Sequence, residues 1–170
     1  MTIAIRIVAL TLGLGALTSA IAQTQSAAAA PTAGCIELKA VAEKEQTVKA
    51  ADGTQSKQLV SVAKTVPGDE IVWTTTAHNL CDKPAEKVVI DLPVPEHMNF
   101  VADSALGKGA QISYSVDGKE YKAAAELTVR ASDGSMRAAR ADEIRHVRWI
   151  MVSALAPKDT ALVRFRATVQ

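Results

Sequence analysis

The residue types able to do chemistry in this 170-residue chain are few and widely spaced. Two cysteines, Cys35 and Cys81, come first. Paired cysteines form a disulfide in an oxidising compartment, hold a metal with the help of histidines, or leave one thiol to carry a lipid. Zinc ligands come in close pairs, and neither a paired-cysteine nor a His-rich spacing is present. No metal is assigned. Lipidation of Cys35 is suggested by the small residues Ala33-Gly34 before it, but Thr32 stands where a large aliphatic residue is usual. The bridge is therefore the favoured reading. If Ile36 begins one strand and Asn79 ends its antiparallel neighbour, both cysteines lie at the same end of the pair, and closing that loop is worth about 4 kcal/mol in the chain-entropy model.

Catalysis needs a nucleophile beside a base, or two carboxylates in separated environments. The chain shows neither pattern. His78, His97 and His146 are far apart; His78 and His146 fall on outward strand positions, and His97 follows Pro95-Glu96 in a turn. The carboxylate pairs Asp69-Glu70 and Asp142-Glu143 lack the several oxygen ligands in one loop that calcium prefers, and read as solvated strand entrances. Arg145, Arg148, Arg164 and Arg166 recur within two alternating segments. On neighbouring strands they would align into a basic stripe for surface recognition of a carboxylate or phosphate. The plainer reading is a solvent-facing sheet surface whose arginines pair with the chain's own acids. No catalytic residue and no cofactor is assigned, and the chain reads as a non-enzyme.

The elements that must position these residues are constrained by composition. A net charge of +1, with 19 basic and 18 acidic residues, gives no basic face for nucleic acid. Much of the apolar content is alanine, 31 residues, so bulky core material is limited. Residues 1–22 hold one charge, Arg6, then an apolar run over residues 7–17 and small residues up to Ala20-Ile21-Ala22. That order is a secretory signal peptide, too short for the ~20 apolar residues of a membrane span and broken by Gly13 and Gly15. Its removal leaves a formally neutral mature chain without a span. Residues 23–34, rich in Ala, Thr and Ser, read as a flexible leader. One domain, residues 35–170, remains.

Turn signals punctuate that domain at strand-sized intervals: Gly53, Pro67-Gly68-Asp69, Asp82-Lys83-Pro84, Gly107 to Gly109, Asp117-Gly118, Asp133-Gly134 and Pro157-Lys158-Asp159. Between them residues 36–48, 58–65, 71–79, 88–92, 111–116, 121–129, 144–152 and 161–169 alternate or are β-branched. Asp117-Gly118-Lys119 predicts a hairpin between residues 111–116 and 121–129. Residues 138–144 alone look helical. Seven to nine strands result, and an all-β antiparallel immunoglobulin-like sandwich lets each bury one face. Trp73 and Trp149 fall at inward positions as core plugs.

The segment from Pro67-Gly68-Asp69-Glu70-Ile71-Val72-Trp73 to Asn79, then Val88-Val89-Ile90-Asp91-Leu92-Pro93, Tyr114-Ser115-Val116-Asp117-Gly118 and Val163-Arg164-Phe165-Arg166 resembles a known family. It is similar to the bacterial conserved-repeat family called domain of unknown function eleven, over residues 62–169. The resemblance implies an immunoglobulin-like fold in a secreted or cell-surface protein, with no catalytic residues to carry over. Two departures stand out: the family carries tandem copies, whereas one copy fits here, and Cys81 replaces a Gly-rich loop. The expectation is a non-catalytic structural or protein-interaction module of the cell envelope, periplasmic or at the surface. Its partner would be an envelope protein or itself. The alternative is a filament subunit joined by β-strand donation, with residues 36–48 as the donor.

Overall fold

The computed structural model describes residues 34–49 and 53–170. The signal segment and the leader up to residue 33 lie outside the described residues. The rest is an antiparallel β-sandwich of eleven strands: β1 (Ile36–Lys49), β2 (Gln55–Ser61), β3 (Glu70–Asn79), β4 (Val89–Pro93), β5 (Met98–Phe100), β6 (Leu106–Gly107), β7 (Ala110–Ser115), β8 (Thr128–Arg130), β9 (Met136–Ala138), β10 (His146–Met151) and β11 (Thr160–Val169). The count exceeds the expected seven to nine because β5, β6, β8 and β9 are only two or three residues long.

The larger sheet runs β2-β1-β3-β11-β5, with β6 also on β11; the smaller is β4-β10-β7, and β8 pairs only with β9. Alternation explains the core. On β3, Ile71, Trp73, Thr75 and Ala77 stand opposite Ala167, Phe165, Val163 and Ala161 of β11, forming the inward face. From the smaller sheet Ile90, Val147 and Trp149 face them, all buried. Trp149 has no exposed surface, and its ring centroid lies 6.4 Å from that of Phe165, spanning the two sheets. Trp73 occupies the inward row but is only half-buried at the core's margin, and its indole N–H is enclosed without a hydrogen-bond partner. It is therefore not the full plug that alternation predicts.

Cys35 and Cys81 are bridged, with 5.3 Å between Cα atoms and a sequence separation of 46. The register explains why. Ile36 opposes Asn79, and the Leu80 N–H donates to the Cys35 carbonyl at 2.8 Å, so the strand ends bring the thiols together. Asn79 ties the same end further: its Nδ2 donates to the carbonyls of Lys83, Leu155 and Ala156, and its Oδ1 accepts from the Cys81 N–H. All three distances to Nδ2 are 2.9 to 3.1 Å.

Two sequence expectations are corrected. The hairpin across Asp117-Gly118 closes with a single bridge, Tyr114 to Lys122, and does not continue to residue 129. Ser115 Oγ and Asp117 Oδ1 take up the backbone N–H groups of residues 117–120, and a 3-10 turn at Ala124–Glu126 then leads to β8. The helical-looking residues 138–144 contribute only a second 3-10 turn, Ala141–Glu143. Residues 36–48, the proposed donor segment, pair within their own sheet, with β3 from Ile36 to Lys44 and with β2 from Glu43 onward.

Candidate binding surfaces

The four arginines do not form a stripe. β10 and β11 belong to different sheets, so Arg148 stands on the outer face of the smaller sheet while Arg164 and Arg166 stand on the outer face of the larger. Strand alternation sets which way a side chain points, but it does not say which strands are neighbours.

Arg148 is fully engaged. Its Nε and Nη2 donate to Asp91 Oδ2 at 2.9 and 2.6 Å across the β4–β10 ladder. Its guanidinium lies over the Tyr121 ring, with Cζ 3.4 Å from the centroid. His146, two residues earlier on the same face, brings Nδ1 to 3.4 Å from Asp91 Oδ1 and meets Tyr121 edge-on. Gly118 has a positive φ of 74°, and a Cβ there would sit 2.9 Å from His146 Nε2. Only glycine suits that position. Burial raises the Asp91 pKa, but hydrogen bonds from Tyr121 and Arg148 outweigh it, and the carboxyl rests below its ordinary range. Burial, then Asp91, pushes the Tyr121 phenol up. Anion, cation and phenol satisfy one another, so this face is a closed network.

The remaining predicted residues are also placed. Arg166 donates to Glu70 at 2.6 Å and to Glu45 at 2.5 Å. Arg145 donates to the Met98 carbonyl at 3.0 Å. Asp69 accepts from Lys44 and from the Val66 N–H, Asp142 pairs with Arg140, and Glu143 pairs with Arg137 through both oxygens. The Arg137 hydrogen bonds hold the Glu143 carboxyl down at about 2. His78 faces outward between Glu37 and Thr160, as alternation predicts. His97 takes a left-handed turn conformation with φ of 60°.

Arg164 differs. It has no hydrogen-bond or ion-pair partner among the described residues, and its Nε is enclosed. It lines a cleft of about 620 Å³ between the Leu106 to Gly109 turn, the loop after β10 and the start of β11. Leu106 and Leu162 beside it are 60% and 50% exposed. Lys108 adds a second cation; the one acid on the wall, Asp159, accepts from the Thr160 N–H.

The cleft follows from where the chain leaves the larger sheet. Just before β11 the Asp159 carbonyl accepts from Asn79 of β3, and at its end Val169 bonds to Gly68 and Asp69 ahead of β3, whereas the Arg166 carbonyl accepts from Val101 on the other side. By this alternation the N–H and C=O of Leu162 point away from β3. There β6 covers only Val163 and Arg164 before Gly107 gives way to the turn toward β7. In the same register Lys108 stands opposite Leu162, and both line the cleft. Its floor is firm: Trp149 Nε1 donates to the Leu106 carbonyl at 3.1 Å, and a Cβ on Gly107 would meet Trp149 Cδ1 at 2.6 Å.

No protein-family model, no curated protein and no solved structure matches this chain.

Proposed function

We propose that the mature protein is an exported, non-catalytic structural or protein-interaction module of the bacterial cell envelope. The observation that carries the reading is electrostatic. Among the described residues, every carboxylate with a resolved shift, at Glu45, Asp69, Asp91, Asp117, Asp133, Asp142 and Glu143, is held below its ordinary pKa. A catalytic carboxyl pair needs one carboxyl pushed up beside another held down. Here the shifted carboxylates are committed to the fold's own hydrogen bonds. The signal-like residues 1–22 and the Cys35–Cys81 bridge support export, since bridges persist in oxidising compartments. The resemblance of residues 62–169 to the conserved-repeat family supports an envelope role. Among the described residues no helix is long and apolar enough to cross a membrane.

A second reading, a filament subunit joined by strand donation, is favoured by the exposure of Leu38 and Val41 on β1. Size-exclusion chromatography and negative-stain microscopy separate the two: a compact monomer supports the module and filaments support assembly.

The deciding experiment uses the protein from a native host. Mass spectrometry of the envelope fraction should find an N-terminus at Gln23 and a non-reduced peptide joining Cys35 to Cys81, and cross-linking in intact cells should give a discrete adduct with an envelope protein. An unprocessed cytoplasmic chain with free thiols and no adduct would overturn the reading.

A further inference from the structure

We infer that the outer face of the larger sheet around Arg164 is a docking surface for a partner protein that presents a carboxylate flanked by apolar side chains. The inference rests on the interaction-module reading above and names the partner's surface chemistry.

Strand register assembles the surface. One outward row crosses four strands, with Val41 on β1, Thr74 on β3, Arg164 on β11 and Leu106 on β6. Leu162, two residues before Arg164, stands on the same face of β11. Thr74 is buried within the row, whereas Val41, Leu106 and Leu162 are each about half exposed. A guanidinium with no partner among the described residues is thus flanked by three exposed aliphatic side chains. Arginine anchors protein interfaces in this setting, because apolar neighbours keep water from the ion pair it makes with the partner. The outer face of the smaller sheet also exposes Val89 and Ile150. Beside them, however, Arg148 and Asp91 satisfy each other, so no charge there selects a partner.

Charge complementarity names the occupant. Acids on the face around Arg164 are committed elsewhere: Glu37 lies 3.1 Å from Lys39, and Glu45 and Glu70 both bind Arg166. Glu43 opposes Val72 and makes no ion pair with Arg164, from which β3 separates it. Lys108, opposite Leu162, has no ion-pair partner among the described residues and adds a second positive charge. Residues 23–33 contain no Asp or Glu, so that segment of the chain cannot supply the anion. A second copy docked by the same face about a two-fold axis would set like charge against like. An aspartate or glutamate of a different protein fits, since a guanidinium takes a carboxylate through two parallel bonds. An adjoining apolar side chain of that partner enters the cleft of about 620 Å³ lined by Leu106 and Leu162.

The test is a nitrogen-15 NMR titration of the exported, oxidised protein with the blocked tripeptide Leu-Glu-Trp-amide. Saturable shifts are expected at Val41, Leu162 and the Leu106 to Gly109 turn, with affinity about tenfold above that for Leu-Lys-Trp-amide. Arg164→Gln should weaken binding by a similar factor with an unchanged melting temperature. Leu162→Thr keeps a strand-forming residue and should weaken it by about threefold. In intact cells a photo-cross-linker in place of Val41 should give an adduct with another protein that Arg164→Gln removes. One in place of Gln111, outward on the smaller sheet, should give none. No saturable shifts, equal binding of the Glu and Lys peptides, or wild-type affinity in Arg164→Gln would each overturn the inference. So would the same shifts from sodium acetate at equal concentration, which would mean a simple anion site, or a Val41 adduct between two copies of this chain. An adduct from Gln111 and none from Val41 overturns the inference and leaves the module reading standing. The expected peptide binding without an adduct from either position supports the surface and counts against the envelope role.

Discussion

Arg148 and Arg164 look equivalent in sequence, since each sits mid-strand with alternating neighbours, yet the two outer faces use them oppositely. Around Arg148 three elements converge: β4 brings Asp91, the turn after β7 brings Tyr121, and β10 itself brings His146. Around Arg164 the neighbouring strand ends after Gly107 and gives way to a turn that brings Lys108 instead of an acid. What decides an arginine's role here is how far the adjacent strand runs. A charge with a full set of neighbours belongs to the fold, whereas one at a truncated ladder is left for something else to satisfy.

The largest expected effect comes from the floor that both faces share. Trp149→Ala should cost about 3–5 kcal/mol in urea unfolding, the range for a fully buried large aromatic. It should also shift the amide resonances of the Leu106 to Gly109 turn, because the indole N–H holds the Leu106 carbonyl in place. A loss below about 1 kcal/mol would mean the side chain faces solvent.

Gly107→Ala should cost about 1–3 kcal/mol, because its Cβ would press on an indole that has no room to retreat. Chemical shifts should move at the cleft and stay fixed around Asp91. Equal disturbance of both regions would show that they are mechanically coupled and would blunt the contrast between them.

A smaller effect separates paired carboxylates from the cleft by pH. Glu143 is held at about 2 against an ordinary value of 4.5, so its ionised form is favoured by folding. Its contribution is complete above about pH 4.5 and is lost as pH falls toward about 2. Asp91 behaves in the same direction. Arg137→Gln should therefore make the decline in melting temperature below pH 4.5 shallower, while Arg164→Gln should leave that decline unchanged. An unchanged slope in Arg137→Gln would show that this pairing adds nothing to acid stability.

Local signals carried much of this fold. Alternation located β3, β10 and β11, placed Trp149 in the core, and turned His78 and His146 outward. The cysteines were legible because strand ends and compartment agreed. Sheet membership was not: residues 144–152 and 161–169 are consecutive in sequence, but their short connection crosses from one sheet to the other, and no periodicity records that. Trp73 was misjudged because alternation sets the inward direction but not how much of a side chain is covered, and Trp73 packs only partly against the core. The role of Asn79 was hidden because it depends on carbonyls of Leu155 and Ala156, far along the chain. Tyr121 was read as a strand residue, yet Asp117 and Ser115 tighten the turn so that it swings over Arg148 instead. The cleft rests on an interruption in pairing, which leaves no mark beyond Gly107-Lys108-Gly109.

The contrast between the two arginines is tested most directly by urea unfolding of Arg148→Gln and Arg164→Gln side by side at neutral pH. Arg148→Gln removes a hydrogen-bonded ion pair and a cation–π contact and should cost about 1–2 kcal/mol. Arg164→Gln breaks no such bond and should stay within about 0.5 kcal/mol of the parent. Equal losses in the two variants, or a larger loss at Arg164, would contradict the claim that one face is closed by the fold and the other left open.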